Sequence, residues 1–200
     1  MYIWRTEMNT TIARVVGSSA HSPGERQADD YYATDPQALR DFLLASKDDI
    51  VLAPNIWEPA CGEGNLSKVL QESHYVLSTD KVNRGFSDPQ MDFLEGDHWW
   101  RAGVILTNPP FKLAQQFVEK SLELIDNKNY AIFLLRIQFL EGQKRKKFFE
   151  VSPPKFVYVH SKRIGIWKNN EKEKYTGNAL CFAWFVWQKG YNGKTEVRWI

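Results

Sequence analysis

Val104, Ile105 and Leu106 form a short apolar run that ends in Thr107-Asn108-Pro109-Pro110-Phe111, and this junction narrows the folds open to the chain. The run reads as a strand buried on both faces, which is the habit of parallel sheets. Its carboxyl end is where open α/β sheets bind ligands. Each proline disfavours the helical region for the residue before it, so Asn108 and Pro109 are pushed towards extended geometry. The loop is therefore stiff, and its carbonyls cannot close a helical turn. An Asn side-chain oxygen beside such a carbonyl supplies two fixed acceptors, suited to both hydrogens of an –NH2 group. Phe111 could lie flat against the ring bearing that amine. The plainer alternative is that Pro-Pro merely ends a strand and Phe111 belongs to the core.

The rest of the chain supports an α/β sheet. Thr34-Asp35-Pro36 is a helix start, a capping side chain before a proline in the first turn, with Leu39, Phe42 and Leu43 at helical spacing behind it. Strands are expected at Ile56-Trp57, Tyr75 to Thr79, Met91 to Leu94, Gly103 to Thr107 and Tyr130 to Leu135. Helices are expected from Leu66 to Glu72, along the face Ala114, Phe117, Val118, Ser121, Leu122 and Ile125, and over the basic run Lys144 to Lys147. Phe156 to His160, Leu180 to Trp187 and Thr195 to Ile200 supply the last strands. Strands alternate with helices to about residue 150 and dominate thereafter. The pattern predicts one doubly wound domain over 29–200, with a mainly parallel seven-stranded sheet, an antiparallel edge, and a loosely ordered tail over 1–28.

Composition removes several classes of function. At 43% hydrophobic and 14% aromatic residues the chain is globular rather than disordered. No apolar run approaches the roughly 18 residues a membrane helix needs, and the first residues lack a signal peptide's apolar stretch. Cys61 and Cys181 are far apart and the four histidines are scattered, so no metal site is expected and a reduced, cytoplasmic setting is the default. The net charge of +2 says little about partners. Two local basic clusters do more: Lys144 to Lys147, which could equally be a solvated helix face, and residues 161–175 with Lys162, Arg163, Lys168, Lys172 and Lys174, which could equally be a floppy loop.

Glu58-Pro59-Ala60-Cys61-Gly62-Glu63-Gly64 follows the first strand of the expected sheet and opens a helix. Glycines there let backbone approach a ligand, and the helix presents free N–H groups. Asp80 ends the next strand, where an acid reaches ribose hydroxyls in nucleotide-binding α/β units, although a turn-forming Asp is an alternative. The third glycine of the dinucleotide pattern is missing, and no Gly-Lys-Ser/Thr phosphate loop occurs. A ligand with a nucleoside but no phosphates fits better, and S-adenosylmethionine is one.

Taken in order, Thr34-Asp35-Pro36, Glu58 to Gly64, Asp80, Asp92-Phe93 and Asn108 to Phe111 resemble the amino-methyltransferases of the class I S-adenosylmethionine family, specifically DNA adenine-N6 methyltransferases. The resemblance covers roughly residues 29–190. It implies a Rossmann-like fold and S-adenosylmethionine as cofactor. Thr34 and Pro36, with Glu58, Pro59, Ala60, Cys61, Gly62 and Gly64, would flank its methionine part. Asp80 would bind its ribose, Asp92 and Phe93 would lie near its adenine, and Asn108 would adjoin both cofactor and substrate. Asn108, Pro109, Pro110 and Phe111 would be the catalytic tetrapeptide.

Chemistry runs parallel to the resemblance. The exocyclic nitrogen of adenine is a poor nucleophile because its lone pair is delocalised into the ring. Accepting both N–H bonds, at Asn108 Oδ1 and the Pro109 carbonyl, would favour a pyramidal nitrogen with a freer lone pair. A base inside a duplex cannot reach such a site, so a flipped adenine stacked on Phe111 is implied, with DNA as partner and RNA as the nearest rival. Members of this family usually carry a separate recognition domain, for which about 200 residues leave no room. The stretch from Ser161 to Asn178, with Trp167 and Tyr175 among its basic residues, is the candidate contact with nucleic acid. Methylation of a protein glutamine amide is a third reading, modestly disfavoured by Phe at position 111, where glutamine-directed protein methyltransferases of the superfamily favour Tyr, and a non-catalytic nucleic-acid-binding module on the same scaffold is a fourth. Cys61 reads as a small buried residue, Trp184 and Trp187 as packing on an edge strand, and Trp99-Trp100 as core or surface packing, with lining of the cofactor pocket as the alternative.

Overall fold

The computed structural model describes residues 31–96, 100, 102–168 and 180–200. The expected tail over 1–28 lies outside these residues, as do Trp99, Lys172, Lys174 and Tyr175.

A seven-stranded sheet in the order β3-β2-β4-β5-β8-β6-β9 forms the centre of the molecule. Its strands are β2 (Asn55–Glu58), β3 (Tyr75–Ser78), β4 (Val104–Thr107), β5 (Tyr130–Arg136), β6 (Phe156–Val159), β8 (Phe182–Gln188) and β9 (Glu196–Trp199). All pairings are parallel except those of β8, which runs antiparallel to both β5 and β6. The sheet is thus mainly parallel, with its antiparallel pairing in the half that ends at β9. Two three-residue strands, β1 (Tyr32–Thr34) and β7 (Ile166–Lys168), pair antiparallel as a separate ribbon.

Alternation along each strand assigns the two faces of the sheet. Ile56, Val104, Leu106, Ile132, Leu134, Trp184 and Val186 point to one face, under α1 (Pro36–Ser46) and α2 (Asn65–Leu70). Trp57, Ile105, Ala131, Phe133, Leu135, Phe185 and Trp187 point to the other, under α3 (Ala114–Leu124). With helices on both faces, the domain is doubly wound. On α1 the Asp35 side chain accepts from Gln37 N at 3.0 Å and Pro36 takes the first turn. Leu39 and Phe42 on its inner face are wholly buried, each worth roughly 1.5–3 kcal/mol.

The basic run sits on α4 (Gln143–Val151), which buries none of its residues completely. Arg145 turns back to donate to the carbonyls of Phe139 (2.7 Å), Gln138 (3.2 Å) and Glu141, closing the 3₁₀ turn Ile137–Leu140. The remaining lysines form an exposed helix face, as the plainer reading of a charge run holds.

Three expectations change. Met91 to Leu94 does not form a strand: Asp92 Oδ1 accepts from Leu94 N at 3.0 Å and its carbonyl accepts from Gly96 N at 2.6 Å, so local Asx-turn chemistry overrides the apolar alternation. The strand of Trp184 and Trp187 is internal, paired on both sides, which is why both rings are almost fully buried. Trp184 Nε1 donates to Ala38 O at 3.1 Å and ties β8 to α1. Finally, the polar stretch from Ser161 contains β7, whose Trp167 pairs with Ala33 in the ribbon.

Candidate active site

The sheet changes direction at β2, whose neighbours are β3 on one side and β4 on the other. Ligands of open α/β sheets bind at the carboxyl ends of strands flanking such a switch point. Here those ends, with β1 laid across them, enclose a cavity of about 370 Å³. It lies within the usual range of small-molecule sites, about 300–1,000 Å³.

Asn108 follows β4 directly and is held by the ribbon. Its Nδ2 donates to Thr34 Oγ1 at 2.9 Å and approaches the Tyr32 carbonyl at 3.4 Å. A carbonyl only accepts, so this pairing fixes which end of the amide is nitrogen. Asn108 Oδ1 is consequently turned away from the ribbon. It is buried and has no hydrogen-bond partner. Pro110 O accepts from Leu113 N at 2.9 Å and starts the turn into α3, whereas the Pro109 carbonyl takes no hydrogen bond among the described residues. Two unfilled acceptors therefore sit on consecutive residues of a stiff loop.

Phe111 is half-buried beside them. Its ring centroid lies 5.0 Å from that of Tyr32 and 5.9 Å from that of Phe182, and the Arg136 guanidinium sits 4.1 Å above the ring.

At the other end of the cavity the glycine turn bends as expected. Gly62 and Gly64 have φ of +54° and +79°, and a Cβ on either would overlap the ring of Tyr31 or Phe86 respectively. Both glycines back the turn rather than line the cavity. Asp80 Oδ2 accepts from Gly62 N at 2.8 Å, and Oδ1 accepts from Val82 N at 2.9 Å and Arg84 Nη1 at 3.3 Å. Three of roughly four acceptor positions of the carboxylate are used, leaving capacity for a hydroxyl donor. Arg84 also covers the Tyr31 ring at 4.4 Å. Burial pushes the Tyr31 phenol up to about 12, so it stays neutral and accepts from Glu63 N at 3.3 Å.

Asp92 pairs with Lys81 at 2.8 Å. Burial alone would raise its carboxyl, but the Lys81 ammonium and the N–H groups of Leu94 and Glu95 more than offset this and hold it below the usual range. Phe93 shows the cavity one edge of a core ring, packed against Trp57 and Phe117 at 5.2 and 4.9 Å between centroids.

Glu58 is enclosed completely at the end of β2. Burial pushes its carboxyl up to about 8, and the Ser67 hydroxyl of α2 donates to it. Ser67 in turn meets Ser78 at 2.6 Å, so Glu58 ties strand, helix and neighbouring strand together while also reaching the cavity wall. Cys61 is buried, and burial pushes its thiol well above the range of a reactive cysteine.

Thr34, Glu58, Pro59, Ala60, Cys61, Asp80, Asp92, Phe93 and the whole tetrapeptide Asn108, Pro109, Pro110 and Phe111 meet around one cavity. Pro36 does not line it; its place is the first turn of α1. Sequence reasoning passed over Tyr31, Tyr32, Arg84 and Arg136. Only Arg136 had a readable signal, a charged residue at the carboxyl end of an apolar parallel strand.

No family model and no curated protein sequence matches the chain. Solved structures do match in fold. A proposed class I S-adenosylmethionine-dependent methyltransferase from Listeria monocytogenes superposes with a TM-score of 0.58 at 14% identity, over 96% of this chain and 71% of its own. A proposed RNA methyltransferase from Pyrococcus horikoshii gives 0.57 at 14% identity, over 91% and 98%. The modification subunit of a proposed type I restriction enzyme from Vibrio vulnificus gives 0.54 at 15% identity, over 97% of this chain and about half of that one, 51%. At such identities the likeness is one of fold: the chain has the Rossmann-like architecture of these methyltransferase structures.

Proposed function

We propose that this chain is an S-adenosylmethionine-dependent methyltransferase acting on N6 of adenine in DNA. The observation that carries the reading is Asn108 Oδ1, a buried acceptor with no partner, next to the Pro109 carbonyl, which is unfilled among the described residues. Leaving a buried acceptor unmade costs about 1–3 kcal/mol, and a substrate –NH2 group would satisfy both acceptors at once. The cofactor fits the opposite end of the cavity. Gly62 and Gly64 open the turn, Asp80 retains room for a ribose hydroxyl, and the Phe93 edge lies where an adenine would rest. When bound, S-adenosylmethionine supplies an electrophilic methyl group on a sulfonium.

The residues of the chain prepare the nucleophile. Asn108 Oδ1 and Pro109 O accept the two amine hydrogens and draw the nitrogen lone pair out of conjugation. Because Thr34 and Tyr32 hold the amide, these acceptors need no reorganisation as positive charge develops on the nitrogen. Phe111 supports the ring of the base, and the cavity walls fix the line of attack. An adenine must leave the helix to enter. The structural likeness to a restriction-modification subunit favours DNA. RNA is the second reading, favoured by the likeness to a proposed RNA methyltransferase that the chain covers almost throughout.

The test incubates the protein with tritiated S-adenosylmethionine and either unmethylated genomic DNA or structured RNA, then digests to nucleosides. Label in N6-methyldeoxyadenosine is expected. Asn108→Ala should lower the rate by about 10²–10³-fold, the usual loss for a preorganised charge-stabilising group, with cofactor binding retained. Label in RNA alone would overturn the DNA substrate, and undiminished transfer by Asn108→Ala would overturn the mechanism.

A further inference from the structure

The charges around the cavity are divided in a way that the chemistry of methyl transfer does not require. At the Asp80 end every cation has an acidic partner: Arg84 pairs with Asp80 and Lys81 with Asp92. On the Phe111 side the cations are Lys112, next in the chain, Arg136, stacked on the ring, and Arg163, which reaches Cys181 beside Phe182, and none of them has a carboxylate partner among the described residues. Arg163 leans on Cys181, whose carbonyl accepts from Ile137 N, and Arg136 stands opposite Phe182 in the sheet register. Arg136 and Arg163 thus stand where β5 and β8 meet, and Lys112 lines the cavity next to Phe111.

Arg136 is the unusual member. Its guanidinium covers the Phe111 ring at 4.1 Å, and its Nε is buried with no hydrogen-bond partner. A guanidinium offers five N–H donors in a planar fork that matches phosphate oxygens. In this structure that fork spends its affinity on an aromatic face and leaves a donor unsatisfied. Tyr32 and Phe182 also touch Phe111, but with rings on short stems, whereas Arg136, the last residue of β5, carries its guanidinium on a long side chain with several rotatable bonds.

We infer that Arg136 is a positioning residue that grips the phosphate of the extruded nucleotide, and that its stack on Phe111 is the resting state it leaves when a base enters. This rests on the DNA adenine reading above. The planar guanidinium holds the ring face until a base replaces it, and the movement brings the fork to the backbone of that nucleotide. Lys112 and Arg163 provide the surrounding positive field, which speeds encounter with a polyanion. Readout of the base stays with Asn108 and Pro109, so Arg136 adds affinity and placement without sequence preference.

The experiment compares wild type, Arg136→Met and Arg136→Lys. Three quantities are measured: KM for unmethylated genomic DNA, the salt dependence of binding to a fluorescein-labelled duplex, and affinity for S-adenosylmethionine. Arg136→Met is expected to raise KM at least tenfold and to reduce the slope of log K against log salt by about 0.9, one phosphate contact in duplex DNA. Cofactor affinity should stay within about twofold. Arg136→Lys keeps the charge, so it should retain the wild-type slope and recover part of KM, which a purely structural role would not produce. If Arg136→Met is too unstable to assay, Arg136→Lys against Arg136→Gln gives the same comparison. Active wild type with unchanged KM and slope in the neutral variants would overturn this inference alone. Wild type that places no label in DNA would overturn the substrate reading and the inference with it.

Discussion

Thr34→Val separates two roles that a residue at the cavity wall can play. Thr34 is 3% exposed, and its hydroxyl accepts from Asn108 Nδ2 at 2.9 Å, while the other contact of that nitrogen, the Tyr32 carbonyl, lies at 3.4 Å near the limit of a hydrogen bond. Valine nearly preserves the shape and deletes the acceptor. The net value of the bond is about 1 kcal/mol, and an unmet buried donor costs about 1–3 kcal/mol. At 1.36 kcal/mol per tenfold, a penalty in that range slows the reaction by about five- to 150-fold. Single-turnover transfer from tritiated S-adenosylmethionine to unmethylated DNA should show this loss, with cofactor affinity measured by calorimetry within about threefold of wild type. The loss should stay smaller than that of Asn108→Ala, and the double variant should be no slower than Asn108→Ala, because both changes act through one amide. Weakened cofactor binding with an unchanged single-turnover rate would refute the reasoning and return Thr34 to a cofactor contact. Additive losses in the double variant would refute it equally.

Glu58 predicts a pH dependence of stability. Its folded carboxyl holds its proton up to about pH 8 because of burial, against an ordinary value of 4.5. Stability from this group is complete below about pH 4.5 and is lost as pH rises towards 8, since the unfolded chain ionises first. Melting temperature measured from pH 5 to 8 should fall less steeply in Glu58→Gln than in wild type; identical slopes would mean that Glu58 is ionised in the fold. Gly64 and Gly85 share a left-handed backbone, φ +79° and +85°, but a Cβ would overlap the Phe86 ring at Gly64 and meets open space at Gly85. Gly85→Ala should therefore cost only the conformational penalty, about 1–2 kcal/mol, and Gly64→Ala more, as read by urea denaturation. Equal losses would show that Phe86 yields freely.

The readable parts of the fold were those with a local cause. Val104 to Leu106 and Ala131 to Leu135 are apolar on both faces and sit in internal strands, and the face Ala114, Phe117, Val118 and Ser121 is the buried stripe of α3. The tetrapeptide was legible because two prolines dictate backbone geometry by themselves. The β1–β7 ribbon was not, since two three-residue strands drawn from positions 134 apart, Tyr32 and Ile166, leave no periodicity to detect. Met91 to Leu94 misled because a single Asp side chain can outbid alternating apolar residues. Glu58 was legible as a member of the glycine turn, but its clasp on Ser67 depends on a helix and strand meeting in space. Arg136 carried a charge in the right place, but its stack on Phe111 depends on β4 and β5 being neighbours.

The ribbon and the Asn108 amide depend on each other. A pair of three-residue strands is marginal by itself in water. What fixes this one is its attachment: Asp35 N donates to Gly165 O at 2.9 Å, Asn65 Nδ2 donates to Thr34 O at 3.2 Å, Asn108 Nδ2 donates to Thr34 Oγ1, and Ile166 enters the core beneath. Two of these attachments use Thr34, and they reach it from the ends of different strands, Asn65 beyond β2 and Asn108 beyond β4. The ribbon thus spans the switch point from the start of α2 to the end of β4. Its order is linked to the orientation of Asn108, so a change that loosens the ribbon at Gly165 or Asn65 should act on the amide through Thr34.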